Sequence, residues 1–254
     1  MNTVVDTYAE AVEQAETPSR AHTLLRGYSD DVNGRLLDRW LPERCGRLLK
    51  TDLFDEAVGR GLIARLERSA ETVVAIDASL RVLEAAVARN PQLVAHHADV
   101  RALPFVSSSF NVVVSNSTLD HFDSLDDVAA GLRELIRVLE PGGTLIVTLD
   151  NLRHPLVALR NALPFSVLLR LGLVPYFVGE TVGPTRLRRL LAEGGAHVID
   201  ETAIMHVPRI AAVTAARFVR SESVLRALSA CERAEALPTR SVTGQFIAAR
   251  AVKR

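Results

Sequence analysis

Three carboxylates stand where chemistry on a nucleoside would need them. Asp52 follows Arg47-Leu48-Leu49-Lys50-Thr51, Asp77 follows Thr72-Val73-Val74-Ala75-Ile76, and Asp99 closes the run that starts at Leu93. In open α/β sheets, ligands bind beyond the carboxyl ends of the strands, at the point where strand order reverses. A nucleoside needs one carboxylate to accept from its ribose hydroxyls and another acceptor for the adenine amino group. Asp77, ending the second predicted strand, is the ribose candidate. Each acid could equally cap the helix or turn that follows it. Three histidines, His121, His154 and His206, are candidates for a general base, because imidazole titrates near neutral pH. Each could also be a structural histidine.

The elements that would position these groups alternate regularly. The sequence predicts strands over 46–54, 72–77, 93–100, 110–115 and 143–149, with helices over 61–69, 79–89 and 124–139 between them. The fourth strand is nearly all valine, as expected when helices cover both faces of a sheet. Such alternation implies βαβ units and a parallel sheet. Before it, Val32, Leu36, Leu37, Trp40 and Leu41 recur at helical spacing. After residue 150 the rhythm breaks. An apolar, proline-punctuated stretch covers 155–178, followed by a helix over 184–193, a strand over 197–205 and helical sequence over 210–236. Residues 245–252 are expected to pair antiparallel at an edge.

The chain has 254 residues, 30 basic and 30 acidic, and no formal net charge, so it lacks the basic footprint of a nucleic-acid binder. Its two cysteines are far apart, without the spacing of a zinc site, and suit a reducing cytoplasm. The N-terminal stretch has no apolar signal core, and no uncharged apolar run is long enough to span a membrane. Gly59-Arg60-Gly61-Leu62-Ile63-Ala64 fits the dinucleotide fingerprint, which would suit a nicotinamide oxidoreductase. The match stands alone, and the preceding strand ends too early for it.

The block Ala98-Asp99-Val100-Arg101-Ala102-Leu103-Pro104-Phe105, then Ser109 to Ser115, then Leu139-Glu140-Pro141-Gly142-Gly143, resembles class I S-adenosylmethionine-dependent methyltransferases of the small-molecule, methyltransferase-11-like type. The resemblance covers residues 47–150 well and the remainder loosely. Asn111 stands where the family often has Asp. The implied fold is α/β, a Rossmann-like, seven-stranded, mostly parallel sheet with helices on both faces and a helical lid after strand five. The implied organisation is an N-terminal helical segment over 1–44, a cofactor-binding core over 45–150, a substrate-covering lid over 151–195, and a completion of the sheet over 196–254.

The implied cofactor is S-adenosyl-L-methionine, with Asp77 on its ribose, Asp99 at its adenine amine, Ala78 and Val100 beside them, and Asn116 on the loop after strand four. The family's first motif, acid-x-Gly-x-Gly-x-Gly, is degenerate here. Between Lys50 and Gly61 only Gly59 and Gly61 remain, and the register leaves Lys50, Asp52 or Asp55 at the acid position. Asp52, Asp55 or Glu56 could hold the methionine ammonium, with Lys50 on its carboxylate, or the loop could be purely structural. Catalytic candidates are His121, His154, His206 and Tyr176, with no metal. The expected reaction is methyl transfer to a small, largely apolar metabolite. Alternatives are a cofactor-binding relative with a non-methylating step, a non-catalytic scaffold, or the oxidoreductase. The apolar 155–178 stretch could also be a homodimer face.

Overall fold

The computed structural model describes residues 20–163, 167–168, 179–207 and 221–254. One sheet of seven strands organises them: β1 (Cys45–Thr51), β2 (Ala70–Asp77), β3 (Val94–His97), β4 (Phe110–Asn116), β5 (Leu139–Asp150), β6 (Ala196–Ile204) and β7 (Phe246–Lys253). Their spatial order is β3-β2-β1-β4-β5-β7-β6. The first five run parallel, and β7 runs antiparallel to both β5 and β6. Order reverses between β1 and β4, which opens the crevice where such sheets bind ligands.

Helices cover both faces because successive strand residues point to opposite sides. Leu48, Val73, Ala75, Val112 and Val114 cluster with Leu36, Leu37 and Trp40 of α1 (Arg20–Trp40). The alternate set, Leu49, Val74, Ile76 and Val113, clusters with residues of two other helices. These are Leu132, Leu135 and Ile136 of α5 (Leu125–Val138), and Leu187 and Leu191 of α7 (Pro184–Glu193). The remaining helices are α2 (Phe54–Val58), α3 (Ile63–Leu66), α4 (Leu80–Arg89), α6 (Pro155–Ala162), α8 (Ser221–Cys231) and α9 (Arg240–Thr243). No helix among the described residues is long and apolar enough to cross a membrane.

Four elements differ from expectation. β1 ends at Thr51 because Asp52 turns the backbone to φ +67° and its Oδ1 accepts the Phe54 N–H at 2.8 Å, starting α2. β3 ends at His97, so Asp99 lies two residues past the strand, in a turn closed by the Ala102 N–H on its carbonyl. β5 begins at Leu139 and runs through the Pro-Gly-Gly sequence, which Gly142 passes at φ +77°. β7 is interior, and β6 forms the edge. Ile247, Ala248, Ala249 and Ala251 of β7 are fully buried, whereas Ile199 of β6 is 46% exposed.

The N-terminal helix is tied to the C-terminal part of the chain by the Arg39–Glu235 pair and, more deeply, by the Glu232 carboxylate. Glu232 accepts the Tyr28 hydroxyl and the N–H groups of Met205 and His206. Burial, then the bond to Glu232, hold the Tyr28 phenol well above its usual range. Glu232→Ala strands all three donors and is expected to cost about 1.5–3 kcal/mol, read as a lower urea midpoint. Tyr28→Phe strands none of them and should cost less.

Candidate functional site

The crevice is built from the loops after β1, β2 and β4. Asp77 joins the first two. Its Oδ2 accepts the Leu53 N–H at 2.8 Å and its Oδ1 the Ser79 N–H at 2.7 Å. Each oxygen has two lone pairs, so each keeps one for a further donor. Ser79 caps α4 by accepting the Val82 N–H, and Ala78 between them is exposed. Burial raises the Asp77 carboxyl above its usual value, against the opposing bonds from Ser79 and Leu53. Asp52 is pushed well above its usual value by burial and then by Asp77, with Lys50 opposing.

Lys50, at the end of β1, is 2% exposed, and Glu56 on α2 is 0% exposed. Lys50 Nζ lies 2.8 Å from Glu56 Oε2 and also donates to the Asp52 carbonyl. Glu56 Oε1 accepts the Leu62 N–H at 2.8 Å. Burial alone would lower the lysine's pKa, but Glu56, with Asp52, holds it above the ordinary value. Neither residue offers a group to the methionine end of a ligand, contrary to expectation: each has its charge satisfied by the other. The positive φ of Asp52 suits the register that puts Asp52 at the motif's first glycine and Lys50 at its acid.

Gly61 serves this same buried pair, and Gly59 closes α2 with its N–H on the Asp55 carbonyl. Gly61 has φ +61°, and a Cβ there would come within 2.5 Å of Glu56 Oε1. Since α2 lies between β1 and Gly59, the tight strand–glycine–helix turn of a dinucleotide loop is not formed. Asp55 lies near α1, close enough to raise Asp30. Burial and then Asp55 push the Asp30 carboxyl up to about 7, against Arg60.

Asp99 is clamped by Arg101, through Nη2 at 2.6 Å, Nε at 3.1 Å and the backbone N–H at 2.8 Å. Burial acts to raise its carboxyl, but these bonds outweigh it and hold the group below its usual value. Arg101 also reaches Asp127 at 2.8 Å and lies 4.7 Å over the Phe122 ring. Val100 is buried in the α5 cluster. Asn116 accepts the Thr148 hydroxyl, and Thr51 hydrogen-bonds Ser115 and Thr118 across the crevice floor.

Of the three histidines, His121 lies on the post-β4 loop, in the 3-10 turn Leu119–His121, with Nε2 3.8 Å from the Asp120 carboxylate. Asp120, which sequence reasoning passed over, is 1% exposed and accepts the Ser117 hydroxyl and the Asp150 N–H at 3.0 Å each. Asp150 in turn pairs with Arg160 of α6 at 2.8 Å. His154 caps α6; its Nδ1 is buried with no hydrogen-bond partner among the described residues, and burial followed by His206 lowers its pKa. His206 has both ring nitrogens engaged, with the Ala203 carbonyl and the Thr243 hydroxyl at 2.9 Å each. That makes it a structural residue rather than the expected base. Tyr176 lies outside the described residues. Residues 179–181 lie against this loop: the Gly179 N–H reaches the Asp120 carbonyl, the Glu180 N–H the Phe122 carbonyl, and the Thr181 hydroxyl the Asp150 carbonyl. A Cβ on Gly179 would lie 2.1 Å from the Phe122 oxygen.

Residues 39–147 match the family described as "Methyltransferase domain". The mostly parallel seven-stranded sheet agrees with that match. A demethylmenaquinone methyltransferase of Corynebacterium kroppenstedtii is 43% identical over 96 residues, 37% of this chain and 40% of that protein. A malonyl-[acyl-carrier protein] O-methyltransferase of Enterobacter lignolyticus is 35% identical over 143 residues, 55% of this chain and 52% of that protein. The chain thus spans about half or less of the curated relatives it matches. Among solved structures, an S-adenosylmethionine-dependent methyltransferase of Thermotoga maritima superposes with a TM-score of 0.63 at 16% identity, covering 99% of this chain and 100% of that one.

Two stability predictions concern the buried charges after β1 and on α1. Lys50→Met leaves the Glu56 carboxylate buried without its cation and should cost about 3–5 kcal/mol in denaturant unfolding. Adding Glu56→Gln should recover much of that loss, because the amide oxygen still accepts from Leu62. The second concerns pH. Asp30 has its carboxyl raised to about 7 in the folded chain. Its stability contribution is therefore full below the unfolded carboxylate pKa of about 3.9 and is lost as pH rises through the folded value. Asp30→Asn should gain stability relative to the parent by about 1–3 kcal/mol between about pH 4 and pH 8. A difference that is flat with pH would refute the assignment.

Proposed function

We propose that this chain binds S-adenosylmethionine and transfers its methyl group to a small molecule. The observation that carries the reading is Asp77 at the end of β2, fixed by two backbone N–H groups and keeping one lone pair on each oxygen beside the exposed Ala78. That pair of acceptors fits the vicinal hydroxyls of a ribose, and the desolvated carboxylates of Asp52 and Asp77 fit a cationic ligand. The family match and the relatives' named activities support the same cofactor.

Bound S-adenosylmethionine would supply an activated sulfonium methyl. The chain's part is alignment and exclusion of water, not covalent chemistry. Asp77 would hold the ribose, and the exposed edge of Asp99 would face the adenine amine while Arg101 fixes its orientation. On the acceptor side, Asp120 holds the loop that carries His121 and ties it to the end of β5. His121 is the group placed to take a proton where the acceptor must lose one. Leu152, Leu156 and Leu159 are 39%, 49% and 56% exposed on and before α6, which supports a largely apolar acceptor. A second reading, a scaffold that keeps the fold without catalysis, draws support from the first loop. There the Leu53 and Phe54 N–H groups are both taken by the chain's own carboxylates.

Calorimetric titration with S-adenosylmethionine separates the two readings. The parent should bind, and Asp77→Ala should bind about tenfold or more weakly, the loss expected for a hydrogen bond to a charged group. A folded parent that binds neither the cofactor nor its demethylated product sinks the methyltransferase reading.

A further inference from the structure

The charge at the end of β1 is inverted relative to the family motif, since Lys50 occupies the acid position. The acid that would meet a ligand's ammonium must therefore come from elsewhere on the chain. Glu56 is 0% exposed and paired with Lys50, out of a ligand's reach. Asp77, at the end of β2, has its remaining lone pairs assigned to the ribose in the reading above. Asp55 lies near α1, beside Asp30. Asp52 differs from all three. Its Oδ1 accepts the Phe54 N–H, its Oδ2 has no partner among the described residues, and its side chain is only partly covered. It sits on the turn directly beyond β1, in the crevice between β1 and β4.

We propose that the Asp52 carboxylate, through Oδ2, takes the α-ammonium of the amino-acid end of the cofactor, while the Lys50–Glu56 pair holds the loop in the shape that glycines give elsewhere in the family. The inference rests on the reading of S-adenosylmethionine as the cofactor. The backbone agrees with it. At φ +67° the residue must be glycine or one of the few side chains that tolerate the left-handed region, and aspartate is among them. The charges agree as well. Asp52 is surrounded by Asp77 on β2, Asp55 and Glu56 on α2 and Lys50 on β1, with Asp30 of α1 beyond Asp55. Of the cations around this group, Lys50 is bonded to Glu56, Arg60 faces Asp30 and Asp31, and Arg26 lies 5.7 Å over the Phe54 ring, so the acids outnumber the cations and a ligand ammonium adds positive charge at Asp52. Burial and Asp77 raise the Asp52 carboxyl. A bound cation would favour its ionised form, so binding should release a proton and tighten as pH rises.

The test uses the full chain and two probes, S-adenosylhomocysteine and its analogue lacking the α-amino group, titrated calorimetrically in buffers of different ionisation enthalpy. Asp52→Asn keeps the acceptor for the Phe54 N–H and tolerates the backbone angle; Asp52→Gly relieves that angle. Thermal melts establish that both are folded. The parent should bind the aminated ligand about tenfold or more tightly than the deaminated one, and release protons on doing so. In both variants that preference should collapse, with affinity for the deaminated ligand within about twofold of the parent's, and in Asp52→Asn the proton release should vanish. If the parent binds both probes alike, or the variants lose affinity for both alike, Asp52 does not hold the ammonium, and the cofactor reading survives. A parent that binds neither probe nor S-adenosylmethionine itself overturns both.

Discussion

A lysine ammonium and a glutamate carboxylate, 2.8 Å apart and both out of water, stand at the end of β1, an interior strand of the sheet. Taking two charges out of water costs several kcal/mol each, and the pair is tolerable only if every remaining donor and acceptor is met. Here they are met by backbone. The lysine's further bond goes to the Asp52 carbonyl, and the glutamate's second oxygen takes the Leu62 N–H. The path of the chain from residue 52 to residue 62 follows from these bonds. α2 brings Glu56 under the strand, Gly61 turns at φ +61° because a side chain would meet Glu56, and α3 starts from the loop so fixed.

The consequence for a ligand is electrostatic. A loop that binds through glycine amides presents weak positive dipoles. This loop spends the Leu53 and Phe54 N–H groups on its own carboxylates and leaves a concentration of negative charge at the crevice. Burial raises the carboxyls of Asp52 and Asp77 at the crevice, and of Asp30 on α1 behind it, so each holds its proton more readily than a solvated acid. A cation beside such a group would favour its ionised form.

The opposite side of the crevice is held by hydrogen bonds that converge on Asp120 and Asp150. Through them the post-β4 loop, the end of β5, the start of α6 and residues 179–181 are bound into one junction. Gly179 permits a backbone approach that no side chain would allow. The junction places His121 at the rim with a carboxylate nearby, and it leaves His206 behind, occupied in joining β6 to α9.

The α/β alternation, the valine-rich fourth strand, the placing of Asp77 at a strand end and the Leu-Glu-Pro-Gly-Gly passage were legible in the sequence, because strand and helix periodicities and strand-end acids are local signals. The interior position of β7 was not. Its rank in the sheet depends on which strands bury their alanines against neighbours far away in the chain. The register of the first loop was likewise undetermined, since lysine, aspartate and glutamate in a row read equally well as three ligand groups. Only the folded chain showed that Lys50 and Glu56 neutralise each other, and that Asp52 adopts the glycine-like angle. Asp120 left no signal, because a single acid beside a histidine means nothing until a serine hydroxyl and the Asp150 N–H are brought to it. Sequence determined the layers and the strand ends; tertiary contacts decided which charges were already spent and which remained for a ligand, because pairing between buried charges is a matter of distance in space.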